Sequence, residues 1–525
     1  MHGTADRPRV ALASRGAAFL LLSLVVGACG GGGGSSAPVR VANSFVDITR
    51  DAGLDFPPPE GTPTGNGLGA AAADYDDDGD IDVFVLRGPR KPALLFRNRG
   101  DGQFDEVGAS AGIAIQGNAC GPCFADVDGD GYLDLLVLGV LDARPRLFHN
   151  QGNGTFAEIT QRCGIVVTGD TCSAAFGDYD RDGDLDLFIT RWERQNLTRP
   201  TSEHLWRNNG DLTFTDVSDV SGISKTIRQS PQGDLTFTPN FADIDNDGWC
   251  DLLIAADFKT SRIYRNKGDG TFEDTTTSVI SDDNGMGASV ADYDNDGDLD
   301  WFVSSIWHAD PQNGWTGNRL YRNRGDGTFE DATTEAGVRQ GDWGWGSSFA
   351  DFDQDGHLDL VHVNGWFWDG FEVDRSRLFL SNRDGTFREA AEKHGLVDRG
   401  QGRGLMVFDA DGDGDLDIFV DNLDNPWKLF RNDLDKGNHL IVRLRDSAPN
   451  THAIGARVYV TTGSTVQMRE IACSCNYVSQ NPAVAHFGLG TTQLIDKVEV
   501  VWPDGKRTVR VAVDAGQSLT IHRNN

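Results

Sequence analysis

DYDDDGDID, from Asp74 to Asp82, decides how this chain folds, because the same nine-residue pattern returns six more times. The other copies are DVDGDGYLD from Asp126, DYDRDGDLD from Asp178, DIDNDGWCD from Asp243, DYDNDGDLD from Asp292, DFDQDGHLD from Asp351 and DADGDGDLD from Asp409. Each reads D-x-D-x-D-G-x-x-D and runs into an apolar, strand-like stretch such as VFVLR after the first copy. A repeat spaced by about 50–60 residues signals an array of equal units, and one unit has the length of a four-stranded propeller blade.

Working outward, each unit carries a second signal. LLFRNRGDGQFDEV from Leu94, RLFHNQGNGTFAEI from Arg146, HLWRNNGDLTFTDV from His204, RIYRNKGDGTFEDT from Arg262, RLYRNRGDGTFEDA from Arg319 and RLFLSNRDGTFREA from Arg377 each place a tight turn between two apolar runs. Asp-Gly and Asn-Gly in that setting mark a hairpin. A unit is therefore an inner strand, the acidic loop, a second strand, a variable loop, a third strand, the turn and a fourth strand. The chain opens with a lone fourth strand, SFVDIT from Ser44, while the seventh unit stops at KLFRN, ending at Asn432. Pairing Phe45–Thr49 with Leu429–Asn432 closes the ring and removes the open edges of an unclosed array. The expected fold is all-β: a seven-bladed β-propeller over about residues 41–435, then a small β-rich domain over 436–525.

The loop chemistry points to a hard cation. Three alternating carboxylates, a glycine that permits a sharp bend, a seventh-position carbonyl and a closing carboxylate make an oxygen-only shell, which suits Ca²⁺ better than Mg²⁺ or Zn²⁺. The expected carboxylate ligands are Asp74, Asp76, Asp78 and Asp82; Asp126, Asp128, Asp130 and Asp134; Asp178, Asp180, Asp182 and Asp186; and Asp243, Asp245, Asp247 and Asp251. Asp292, Asp294, Asp296 and Asp300, then Asp351, Asp353, Asp355 and Asp359, then Asp409, Asp411, Asp413 and Asp417 complete them. The carbonyl donors are those of Asp80, Tyr132, Asp184, Trp249, Asp298, His357 and Asp415. Up to seven structural Ca²⁺ are expected, because carboxylates held this close repel one another unless a cation sits among them. The loops are not EF-hands, for their flanks are β-like and no glutamate closes a twelfth position.

With these residues on the page a family resemblance is visible. The loops resemble the FG-GAP and VCBS repeats of the integrin α-subunit propeller. NHLIVRLRD from Asn438, AIGARVYV from Ala453, NYVSQN from Asn476, AHFGLG from Ala485 and VEVVWPDGK from Val498 look like the ASPIC/UnbV domain. The combination resembles bacterial members of the cartilage acidic protein family. The resemblance implies fold and calcium ligation rather than a reaction. Cys473-Ser-Cys475 departs from it, standing where small or polar residues are expected.

The formal net charge of −32 excludes an electrostatic nucleic-acid binder or a basic membrane-surface protein. Residues 1–28 read as a signal peptide, with basic residues through Arg15 before an apolar run, Ala17–Val26, that is too short to span a bilayer. Val26-Gly-Ala-Cys29 looks like a bacterial lipobox, so Cys29 is the expected lipidated residue and 29–40 a Gly/Ser tether. The expected address is extracytoplasmic, on an outer membrane, with the membrane as one partner. Cys120, Cys123, Cys163, Cys172, Cys250, Cys473 and Cys475 remain, an odd number whose pairing spacing does not decide. Cys120-Gly-Pro-Cys123 reads like a thioredoxin motif but lacks a βαβ setting. Arg99-Gly-Asp101 and Arg324-Gly-Asp326 spell a cell-adhesion tripeptide inside what is otherwise a structural turn.

Turns in a meander alternate between its ends, so acidic loops and D-G turns share one propeller face and the variable loops the other. On that second face Trp192, Trp307, Trp315, Trp343, Trp345, Trp366 and Trp368 are expected to gather as a ligand surface. The leading functional expectation is a calcium-bearing, tethered module that binds a protein or glycan. The alternative is a lyase or glycosidase acting on polysaccharide from the Trp-rich end, with Glu193, His308, Asp310, Asp369 and Arg403 as candidates by position.

Overall fold

A computed structural model describes residues 44–523 apart from 60–67, 142, 168, 195–203, 229–232, 369, 424 and 435–436. The expected leader, tether and Cys29 lie outside the described residues, as does Asp369. From Ala42 onward the chain is one compact unit.

Seven four-stranded antiparallel meanders form the blades. Blade 1 comprises Ala70–Ala73, Asp82–Val85, Leu94–Asn98 and Phe104–Glu106, from the inner strand outward. The inner strands of blades 2 to 7 are Ala119–Ala125, Thr171–Gly177, Gly233–Ala242, Ala288–Ala291, Gly344–Ala350 and Gly402–Phe408. Small residues dominate them because the strands converge on the propeller axis, where there is little room. Ring closure occurs as expected: Phe45–Asp47 is the outer strand of blade 7, with Phe45, Val46 and Asp47 opposite Asn432, Arg431 and Phe430.

Aromatic packing joins one blade to the next. The residue after the first loop aspartate packs on the phenylalanine that starts the next blade's outer strand. Ring centroids are 5.8 Å apart for Tyr75 and Phe156, 5.8 Å for Tyr179 and Phe272, 5.9 Å for Tyr293 and Phe387, and 5.7 Å for Phe352 and Phe45. Each such pair contributes about 0.5–1.5 kcal/mol beyond its buried area.

The C-terminal part builds two small sheets. One holds Ala485–Gly490, Asn438–Arg445 and Gln517–His522; the other holds Thr465–Glu470, Arg457–Thr462, Leu494–Val501 and Arg507–Asp514. Their core is continuous with that of blades 2 and 3, where Leu440, Val458, Phe487 and Trp502 share a cluster with Cys123, Leu136, Ala174 and Phe176.

Between these sheets a hairpin leaves the domain and enters the propeller channel. Cys473 and Ser474 pair antiparallel with Phe176 and Ala175 of blade 3, and Ser479 and Gln480 pair parallel with Ala70 and Ala71 of blade 1. Phe124 N of blade 2 donates to Gln480 Oε1 at 2.7 Å, and Tyr477 meets Phe237 of blade 4 at 5.5 Å and Trp345 of blade 6 at 5.0 Å between ring centroids. Ala288 N of blade 5 donates to Asn476 O at 3.3 Å, and Leu405 N of blade 7 to Ser479 Oγ at 2.8 Å. The hairpin thus touches the innermost strand of every blade and plugs the axis.

Candidate metal centres

All seven acidic loops fold alike, and their hydrogen bonds explain why. In blade 1 the first carboxylate, Asp74, accepts Gly79 N at 3.1 Å, which curls the loop back on itself. The last, Asp82, accepts Tyr75 N at 3.1 Å through one oxygen and Asn98 N at 2.8 Å through the other. The same three bonds recur in every blade; in blade 5 they are Gly297 N to Asp292, Tyr293 N to Asp300 and Asn323 N to Asp300. The fourth and sixth positions are left-handed throughout, with φ of +57° at Asp77 and +99° at Gly79. The fourth position is accordingly Asp, Gly, Arg, Asn, Asn, Gln and Gly around the ring.

These bonds leave the third-position carboxylates aimed inward. Asp76, Asp128, Asp294 and Asp353 each bury one carboxylate oxygen that finds no hydrogen-bond partner. In blade 1 ligand atoms of Asp74, Asp76 and Asp78 lie within 4.8 Å of one another; in blades 2, 3 and 4 the first, third and ninth aspartates do the same. Converging oxygens with unused lone pairs are what a hard divalent cation needs, so the residues present fit one.

Electrostatics agree. Burial lifts the Asp74 carboxyl to about 6, and Asp77 and Asp78 add repulsion. Burial lifts Asp178, Asp292 and Asp351 to about 7, with Asp182 and Asp180, Asp296, and Asp355 respectively adding repulsion. The closing aspartates Asp82 and Asp300, more deeply buried, rise to about 9 although backbone amides partly offset the shift. Without a counter-ion, these carboxyls resist ionising.

Two sets of residues not foreseen from the sequence tie the loops into a ring. The asparagine ending each third strand reaches backward: Asn98 Nδ2 donates to Ala410 O of blade 7 at 2.9 Å, and Asn150 to Tyr75 O, Asn208 to Val127 O, Asn266 to Tyr179 O, Asn323 to Ile244 O and Asn432 to Phe352 O. Blade 6 has Ser381 at this position. Fourth-position side chains reach forward: Asn246 Nδ2 to Asp298 at 2.8 Å, Asn295 Nδ2 to Gly356 O at 3.0 Å and Gln354 Nε2 to Gly414 O at 3.0 Å. The R-N that recurs before most of these turns was the available signal for the first set. His149 stands where most blades have arginine, its Nδ1 3.0 Å from Asp134 and 3.6 Å from Asp128. The hydrogen bond to Asp134 raises its pKa.

The C-terminal domain covers this face. Arg443 donates to Gly79 O at 2.8 Å and Arg445 pairs with Asp77 at 2.7 Å. Thr451 hydroxyl donates to Asp126, Pro449 closes over Gly129 and Gly183, and Arg457 donates to Asp243 O and Asn246. The half-buried Arg469 acts on Asp292 and Asp351, Gly490 N donates to Gln354 O at 2.7 Å, and His486 meets Gly414 O at 2.9 Å. Every acidic loop is engaged.

On the opposite face five of the expected tryptophans gather, but mostly as packing. Trp343 stacks on Trp366 at 5.1 Å and meets Trp315 and Trp368 at 6.0 and 5.2 Å. Trp345 lies 5.5 Å from Trp366, and the Arg403 guanidinium sits 4.2 Å over Trp345. Trp343 and Trp345 are buried and Trp192 stacks on Phe237, so the expected open surface shrinks to a rim where Phe367 and Trp368 are 48% and 53% exposed. Trp307 is held by its backbone N donating to Asp342 O at 2.7 Å. Arg403 is buried among the rings, and His308 Nδ1 accepts Asp310 N at 3.0 Å within its own loop. The arginines of both RGD sequences are tied to their own hairpins, Arg99 to Asp105 at 2.7 Å and Arg324 to Glu330 at 3.0 Å. Cys123, Cys163, Cys172, Cys250, Cys473 and Cys475 are free thiols; Cys120 and Cys172 are neighbours, the Cys120 thiol donating to Cys172 O at 3.5 Å.

Residues 74–137, 126–189, 243–303, 307–362 and 370–420 match the FG-GAP-like repeat, and residues 446–525 match ASPIC and UnbV. Cartilage acidic protein 1 of Homo sapiens is 28% identical over 432 residues, covering 75% of this chain and 61% of that protein. The Mus musculus protein of the same name is also 28% identical over 432 residues, covering 75% and 63%. The chain thus spans about three-fifths of the length of the curated relatives it matches. Among solved structures, an Agrocybe aegerita lectin that recognises non-reducing terminal N-acetylglucosamine superposes with a TM-score of 0.44 at 20% identity, covering 70% of this chain and 92% of that one. Rhamnogalacturonan lyase YesW gives 0.40 at 15%, covering 75% and 76%. Likenesses this loose carry no inference about ligand or reaction. From its repeats and C-terminal module together, the chain belongs to the FG-GAP-like repeat family, joined to an ASPIC and UnbV domain, and is a relative of the cartilage acidic proteins.

Proposed function

We propose that this protein is a calcium-loaded interaction module, held outside the cytoplasm by a lipid on Cys29, that binds a protein or glycan through the loop face opposite its metal sites. The observation that carries the calcium reading is the set of buried carboxylate oxygens left without partners at Asp76, Asp128, Asp294 and Asp353 inside loops of identical geometry. Ca²⁺ supplies the positive charge that lets these carboxylates ionise, and their binding free energy becomes folding free energy. With the acidic face covered and the channel plugged, the surface assigned to a partner is the aromatic rim at Phe367 and Trp368, with Trp315 and His308 beside it. Exposed rings beside polar groups suit sugar stacking or a peptide anchor.

Metal analysis and a melt test the first part. Dialysed protein is expected to retain close to seven Ca²⁺ per chain, and excess EGTA is expected to lower Tm markedly; an unchanged melt overturns the reading. For the rim, a glycan array and a pull-down compare the wild type with Trp368→Ala. Loss of binding at unchanged Tm supports the site, whereas equal binding removes it. Radiolabelled palmitate on the wild type and its absence from Cys29→Ser test the anchor.

A further inference from the structure

Three thiols from two distant parts of the chain meet where the hairpin enters the channel. Cys123 lies on the inner strand of blade 2 and is fully buried. Cys473 and Cys475 lie two residues apart on the hairpin, whose backbone is pinned to blade 3: Cys473 opposes Phe176, and Cys475 N donates to Ala174 O at 2.9 Å. In extended backbone, residues two apart point the same way, and here both thiols turn toward blade 2. The Cys473 sulfur is 3.2 Å from Phe124 O and the Cys475 sulfur 3.7 Å from Pro122 O. Those two carbonyls belong to the residues on either side of Cys123, which brings the three thiols together, and the Cys123 thiol interacts with those of Cys473 and Cys475.

The two hairpin cysteines differ in surroundings. Gln480 walls in Cys473, its Nε2 donating to the Cys473 sulfur at 3.3 Å and to Phe124 O at 2.9 Å. Cys475 borders a cavity of about 550 Å³ between the propeller and the C-terminal domain, lined also by Asn476, Arg469 and Ser348, while Cys473 borders a smaller one of about 310 Å³ beside Asp243 and Arg457. The Cys473 sulfur, held by both Phe124 O and Gln480, is the more tightly engaged of the two, which leaves Cys475 the thiol better placed to exchange partners. The hairpin also needs fastening, because its ladders to blades 3 and 1 are only two residue pairs each.

We propose that Cys123 and Cys475 are a disulfide-forming pair that locks the C-terminal hairpin to blade 2 inside the propeller axis. The oxidant is a disulfide donor, protein or small molecule. The Cys475 thiolate attacks one donor sulfur and expels the other as a thiol, giving a mixed disulfide. The Cys123 thiolate then displaces the remaining donor sulfur, closing the Cys123–Cys475 bond. The two protons end on the two donor thiols, so one donor disulfide is reduced for each bond made. Cys473 stays reduced. The bond keeps the channel shut, which confines any partner to the outer rim of the propeller.

The test is a non-reducing peptide map of the full chain, purified without reductant and with its thiols blocked on denaturation. The expected result is a peptide pair joining Cys123 to Cys475, a thiol count that rises by two on reduction, and a Tm about 5 °C lower for the reduced protein. Cys473→Ala is expected to keep the cross-link and Cys475→Ala to lose it. The wild-type map stands even where a variant folds poorly. Four results overturn the proposal: every thiol free before reduction, Cys123 joined to Cys120, Cys123 joined to Cys473, or stoichiometric zinc or copper that leaves when the thiols are alkylated.

Discussion

Within one acidic loop the four aspartates do different work, and substitution separates them. Asp294 keeps a buried oxygen unpartnered, whereas Asp300 accepts backbone amides of Tyr293 at 3.2 Å and Asn323 at 2.8 Å. Asp294→Ala is therefore expected to lower Tm only in calcium, and to leave the chelated protein unchanged or slightly more stable. Asp300→Asn sets an amide donor against a backbone donor and is expected to cost about 1–3 kcal/mol with or without calcium. Thermal melts of both variants in Ca²⁺ and in EGTA check the contrast. Ser381 offers a gain of stability. It occupies the position from which six asparagines reach the preceding blade, so Ser381→Asn directs an amide toward Tyr293 O and is expected to add about 1 kcal/mol, read by urea denaturation. The aspartate pattern showed which residues converge. It did not show that the ninth aspartate also holds the backbone, because a hydrogen bond to Asn323 depends on the third strand lying alongside.

For the loop as an element, the proposed calcium binding is expected to be coupled to pH. Without a cation in the loops, the folded state holds Asp74 and Asp409 at about 6, Asp178, Asp292 and Asp351 at about 7, and Asp82 and Asp300 at about 9, all by burial first. These values lie above the unfolded carboxylate range of about 3.9. The folded protein then binds more protons than the unfolded chain, so its stability is full below that range and falls as pH climbs through 6–7 toward 9. In EGTA, Tm is expected to decline from pH 5 to pH 9; in millimolar calcium the decline disappears, and calcium affinity weakens progressively as pH drops from about 9 through about 6, where protons compete for the same oxygens. Melts and calcium titrations at pH 5, 7 and 9 measure both. The hairpin 473–481 is the other decisive element. Tyr477 is fully buried between Phe237 and Trp345, so Tyr477→Ala is expected to cost about 3–5 kcal/mol.

At the scale of the whole molecule, the propeller and C-terminal domain share a core, a covered face and a filled channel. Calorimetry is expected to show one cooperative transition, and a chain ending at residue 435 is expected to melt far lower or aggregate, since it exposes the inner strands. Two separate transitions would instead mean the domains fold independently. The amino-acid sequence by itself determined the blade number, the strand order within a blade, the closure of the ring by the strand beginning at Phe45 and the residues of each acidic loop. All of these follow from patterns local to one repeat or from counting repeats. Only the tertiary structure decided that the C-terminal domain seals the acidic face, that Cys473–Asn481 fills the axis, and that Trp343 and Trp345 are packing rather than platform. Those outcomes depend on which surfaces meet across hundreds of residues, and neither periodicity nor spacing within a repeat encodes such a meeting.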